Sequence, residues 1–200
     1  MRYISPALVL IATLAFQAPA AHAIPMTFVT TLSGAAEIPP VNSPGTGEAT
    51  VVLDPSANTL QVHVSFSGLT SGTTASHIHC CVPSGAPGNL LVATTTPTFP
   101  DFPLGVTEGT YDRTFDLTDA SSYNPVFVTA EGGVPQAEAA LIAAIESGAN
   151  YLNIHTTNFP GGEIRGALVA ATPEPASMVL LGSALLGLGL LRRRNSTARS

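Results

Sequence analysis

Leu60-Gln61-Val62-His63-Val64-Ser65-Phe66 alternates strictly between apolar and polar residues. On an extended chain Leu60, Val62, Val64 and Phe66 fall on one face, and Gln61, His63 and Ser65 on the other. A period of two with one apolar face marks a half-buried antiparallel strand. The preceding Asp54-Pro55-Ser56-Ala57-Asn58 has the chemistry of a turn. Outward from this stretch, short apolar runs set between Gly, Pro, Thr and Ser predict strands over 27–33, 48–53, 76–81, 90–94, 110–117, 126–130, 151–156 and 163–169. One segment, 135–147, is alanine-rich and helical: Pro135 suits the first turn, Glu138 the positive end and Gly148 the stop. Leu141 and Ile145, one turn apart, are expected to pack on the sheet. Eight or nine short strands with one short helical insert predict an all-β antiparallel sandwich. The proline-rich stretch 94–109 reads as a long loop whose Phe99, Phe102 and Leu104 cover a sheet edge.

The two ends differ from this middle. Arg2, an apolar run over 7–16 and Ala21-His22-Ala23 follow the order of a cleavable secretion signal, so residues 1–23 are read as a signal peptide for signal peptidase. The apolar run is shorter than the ~20 residues a bilayer span needs. At the other end, Pro173-Glu174-Pro175 leads into an apolar stretch, 178–191, and then Arg192-Arg193-Arg194. From Ala176 that helix is roughly 24 Å long at 1.5 Å per residue, a short span for a ~30 Å hydrocarbon core. Its arginines are expected to stay cytoplasmic. The motif, short helix and arginine cluster together resemble the PEP-CTERM sorting signal. That resemblance implies an exosortase-type sorting enzyme as partner, in a Gram-negative bacterium. The chain would be tethered to the inner membrane by the C-terminal helix before processing, then reach the cell surface or extracellular matrix. The domains are therefore 1–23, 24–171 and 172–200.

Residues 24–171 hold two arginines, Arg113 and Arg165, against twelve acids, a formal charge of −10. Such a surface repels phosphate backbones and argues against nucleic acid as a partner. Cations, exopolysaccharide or another envelope protein suit it better.

The chemistry-bearing residues gather in Ala75-Ser76-His77-Ile78-His79-Cys80-Cys81 and Tyr151-Leu152-Asn153-Ile154-His155-Thr156. Alternation puts His77 and His79 on one face, opposite Ile78, and His155 beside Asn153, opposite Leu152 and Ile154. Imidazole suits zinc and copper, so His77, His79 and His155 are a candidate metal site, with His63 and Cys81 as further candidates. Zinc bonds of 2.0–2.1 Å require the ligand atoms to approach within about 4 Å of one another. The competing reading has the histidines hydrogen-bonding the loops that close the sandwich. Cys80 and Cys81 admit a vicinal disulfide, soft metal ligation or an intermolecular crosslink. Adjacent Cα atoms stand about 3.8 Å apart, below the usual disulfide range of about 4.4–6.8 Å. Glu163 and Arg165 share a face and are expected to form an ion pair on the last strand. No Gly-x-Ser-x-Gly elbow, phosphate loop or His-Glu-x-x-His is present, and Asp112 and Asp116 read as solvated.

The Ala-x-His-Ile-His strand, the loop from Pro83 to Gly88, Tyr-Leu-Asn-Ile-His-Thr and Pro160-Gly161-Gly162-Glu163-Ile164-Arg165-Gly166 together resemble the CHRD domain. The opening Leu32-Ser33-Gly34-Ala35-Ala36-Glu37-Ile38-Pro39-Pro40-Val41 fits its start. The resemblance implies an immunoglobulin-like sandwich, in a family of poorly defined molecular function; the domain itself is read as a binding, structural or matrix module rather than an enzyme. A His-x-His strand with a distant third histidine also resembles copper/zinc superoxide dismutase. That enzyme needs a bridging histidine and an aspartate, and no residue here is assigned to either. The alternative function is a periplasmic or secreted zinc- or copper-binding protein, with redox activity only if copper is bound.

Overall fold

The computed structural model describes residues 24–81 and 88–171. The expected signal peptide, most of the Pro83–Gly88 loop and the sorting tail with its helix lie outside the described residues. Among the described residues no helix is long and apolar enough to cross a membrane.

The strands are β1 (Met26–Ser33), β2 (Thr46–Asp54), β3 (Thr59–Ser67), β4 (Thr73–Cys80), β5 (Leu91–Val92), β6 (Gly109–Asp116), β7 (Asn150–Thr156), β8 (Ile164–Gly166) and β9 (Val169–Ala170). They form one antiparallel sheet in the order β5-β4-β7-β8-β1-β2-β3-β6, with β9 also paired to β1. The sheet curls so that its two halves close on one core. Val51, Leu53, Leu60, Val62 and Val64 face Ile78, Leu152, Ile154 and Ile164 across it, all fully buried. Each such side chain contributes about 1.5–3 kcal/mol of burial. The sandwich is thus a single continuous sheet, because short β8 pairs with β7 and also reaches β1, joining the halves.

Two short helices, α1 (Pro125–Glu131) and α2 (Val134–Ser147), follow β6. The second agrees with the expected insert: Leu141 and Ile145 are buried in the core, and Gly148 ends it in a left-handed conformation. The first corrects an expected strand over 126–130. Val126, Phe127 and Val128 favour strands by themselves, but the Asn124 side chain caps the Val126 N–H, Pro125 opens the first turn and Gly132 closes the last. Phe127 is then buried and Val126 left exposed, a one-sided helical pattern.

The loop over 94–109 runs along β4. The Phe99 N–H donates to the Ser76 carbonyl and the Gly105 N–H to the Thr73 carbonyl. Phe99 and Phe102 are buried with Phe66, Tyr111 and Phe115, whereas Leu104 is exposed and covers nothing.

Candidate metal centre

Ile78 on β4 and Leu152 and Ile154 on β7 enter the core, so His77, His79, Tyr151, Asn153 and His155 share the opposite face. The register pairs Ala75 with His155, His77 with Asn153 and His79 with Tyr151. His155 is therefore the diagonal neighbour of His77, within reach across the strand pair. Ring centroids lie 5.2 Å apart for His77 and His155, 5.7 Å for His77 and His79, and 6.3 Å for His79 and His155. One ring nitrogen from each of the three falls within 4.8 Å of those from the others. That bound is slightly wider than the 4 Å a shared zinc ion requires.

Three loops cover this face, and each supplies one carbonyl. His77 Nε2 donates to Pro97 O at 2.6 Å, His79 Nδ1 to Leu90 O at 2.8 Å and His155 Nδ1 to Pro160 O at 2.9 Å. A carbonyl only accepts, so these bonds set the tautomers and leave lone pairs on His77 Nδ1, His79 Nε2 and His155 Nε2. Those three nitrogens are buried and make no hydrogen bond of good geometry; the Asn153 side chain stands beside His79, with its own Oδ1 also unpartnered. Burial lowers His77 and His79 to about 4, against the pull of their carbonyl bonds, and lowers His155 as well. The rings are thus neutral at neutral pH, the state a metal ion needs. Backbone carbonyls that orient metal-binding imidazoles are a common supporting arrangement, so the donor set fits an imidazole-bound ion. The loop-closing hydrogen bonds of the competing reading are also present; the two readings use different nitrogens.

A second layer flanks the rings. The Tyr151 ring stacks on His79 at 4.5 Å, and the Arg165 guanidinium lies 4.5 Å over Tyr151. Arg165 Nε donates to Ala36 O and Nη1 to Asn89 Oδ1, and Nε lies 3.4 Å from Glu37. Burial pushes Glu37 up to about 7, outweighing the attraction of Arg165. Neither Glu37 nor Asn89 stands out in the sequence as a site residue; Glu37 appears there only within the family's opening motif. Gly162, with φ of 125°, holds the turn against this layer: a Cβ there would come 2.9 Å from Glu37 Cδ and 3.0 Å from Asn153 Nδ2. Gly162→Ala is expected to destabilise by about 1–3 kcal/mol, through overpacking and backbone strain. The midpoint of a urea unfolding curve measures it.

Other expected site residues fall elsewhere. His63 pairs with Asp112 at 3.2 Å on the exposed face of β3, in the far half of the sheet, and is not part of the cluster. Cys80 and Cys81 are joined to each other in a disulfide. Cys81 therefore offers no thiolate, and its sulfur sits 3.7 Å from Ala140 O on α2. Glu163 and Arg165 do not pair. Glu163 precedes β8 and is fully buried, accepting from Ser43, Thr70 and Thr156, whereas Arg165 pairs with Glu37.

No curated protein and no solved structure matches the chain. The PEP-CTERM protein-sorting motif matches residues 171–194, which marks an exported protein of Gram-negative bacteria recognised by exosortase-type machinery. The CHRD domain matches residues 28–168, which hold most of β1, all of β2 to β8 and both helices, and the chain therefore belongs to the CHRD domain family.

Proposed function

We propose that this exported domain is a binding module of the cell surface or extracellular matrix, and that its ligand is one zinc or copper ion held by His77, His79 and His155. The observation that carries the reading is the set of three buried, unpartnered ring nitrogens on neighbouring imidazoles. Buried lone pairs without partners are uncommon, because each loses its hydration without replacement. An ion between them would satisfy all three, and each tautomer is already the one that ligation needs. The reading is of binding rather than catalysis, since the bare nitrogens are closed to solvent. Elemental mass spectrometry on the full chain, purified without an affinity tag, tests it. Near-stoichiometric zinc or copper is expected in wild type, falling at least tenfold in His77→Ala and His155→Ala. A metal-free wild type that cannot be loaded with either ion would leave a matrix module with structural histidines.

A further inference from the structure

Resting on that metal-binding reading, we infer that the histidine site selects a monovalent, three-coordinate ion, cuprous copper, over divalent zinc. Two features of the cluster carry this. The first is ligand number. Zinc takes four ligands, and where proteins supply only three the fourth position is open to water. Among the described histidines, cysteines and acidic residues only His77, His79 and His155 converge, and the Asn153 side chain on the same face is a neutral amide that brings no charge. No carboxylate joins the three, and both cysteines are consumed by their disulfide. The unpartnered nitrogens are closed to bulk solvent, so an aqueous fourth ligand would have to be buried together with the ion. Three imidazoles alone satisfy a cuprous ion.

The second is charge. The three imidazoles are neutral. The charged groups facing them from the neighbouring elements are Arg165 on β8 and Glu37 after β1, already paired with each other and both about 4% exposed. Arg165 lies over the Tyr151 ring that stacks on His79, and the hydrogen bonds of the three rings go to backbone carbonyls rather than to a carboxylate. Glu163, the other nearby buried acid, is taken up by Ser43, Thr70 and Thr156. The layer thus offers no spare negative charge. The cost of burying an ion rises with the square of its charge, so a monovalent ion meets about a quarter of the desolvation that a divalent one does.

Competition titrations on the full chain test this. Cuprous ion under anaerobic ascorbate is titrated against a chromophoric cuprous chelator, and zinc against a zinc indicator. Wild type is expected to bind the cuprous ion at least 100-fold more tightly. Asn153→Asp sets a carboxylate in register between His77 and Arg165, and Arg165→Gln removes the positive charge. Each is expected to narrow the ratio at least tenfold in favour of zinc, with circular dichroism confirming the fold. Zinc binding as tight as cuprous binding in wild type would overturn the inference while leaving the metal site intact. A ratio unmoved in the folded variants would overturn the charge account. Binding of neither ion would remove the underlying reading as well.

Discussion

Lowering the pH from 6.5 to 4.5 is expected to cost the metal-free chain at least about 2 kcal/mol of stability. His77 and His79 titrate near 6.5 when unfolded and about 4 when folded. Between those values the unfolded chain binds more protons, so stability is full above 6.5 and is lost as pH falls toward 4. Two such groups give a slope of about 2.7 kcal/mol per pH unit. Glu37 opposes them. Its folded value of about 7 lies above its unfolded 4.5, so the folded chain holds the extra proton there and gains stability as pH falls through the same window. His155, lowered as well, adds to the histidine side, so the net slope is at least one proton, or about 1.4 kcal/mol per unit. Glu37→Gln removes the opposing group and is expected to steepen the slope by about 1.4 kcal/mol per unit. Urea midpoints at half-unit pH steps measure both. A flat profile from 6.5 to 4.5 in wild type and variant alike would mean that the histidines are not buried neutral.

Glu163→Ala is expected to destabilise by about 4 kcal/mol, among the largest effects of any single substitution here. The carboxylate accepts from Ser43 Oγ at 2.6 Å, Thr70 N at 2.8 Å, Thr70 Oγ1 at 3.1 Å and Thr156 Oγ1 at 2.6 Å. It therefore ties the segment before β2, the β3–β4 connection and the end of β7 to the turn before β8. Removing it leaves the buried Thr156 hydroxyl and the part-buried Ser43 and Thr70 donors without an acceptor, at about 1–3 kcal/mol for a buried donor and less for the others. Burial raises its pKa, but the four hydrogen bonds outweigh that and hold it below the usual carboxylate value. Its contribution is thus present above the unfolded 4.5 and is lost as pH falls through the lower folded value. Glu163→Gln keeps the shape and two of the acceptor contacts, so about half the loss is expected. A midpoint change below about 1 kcal/mol for Glu163→Ala would show that these segments are held by other contacts.

The strands were legible because alternation is a property of the local backbone. Residues 60–66 read directly as β3, and His77 and His79 fell on one face because two residues along a strand always do. The helix over 135–147 was legible for a similar local reason, its proline start and glycine stop. The segment over 126–130 misled because its β-branched and aromatic residues outweighed the Asn124-Pro125 start and Gly132 stop, which decide the outcome once Phe127 can enter the core. Glu163 and Arg165 misled because same-face alternation was extended into a turn, where it does not hold.

What the sequence determined by itself is the class of fold, the common face of the histidines and the sorting signal, all carried by spacing along a few neighbouring residues. The tertiary structure alone decided that His155 lies diagonal to His77, that Pro97, Leu90 and Pro160 orient the rings, and that Arg165 and Glu37 meet beside them. Those contacts depend on inter-strand register and on loops brought together from distant parts of the chain. No local period encodes that proximity.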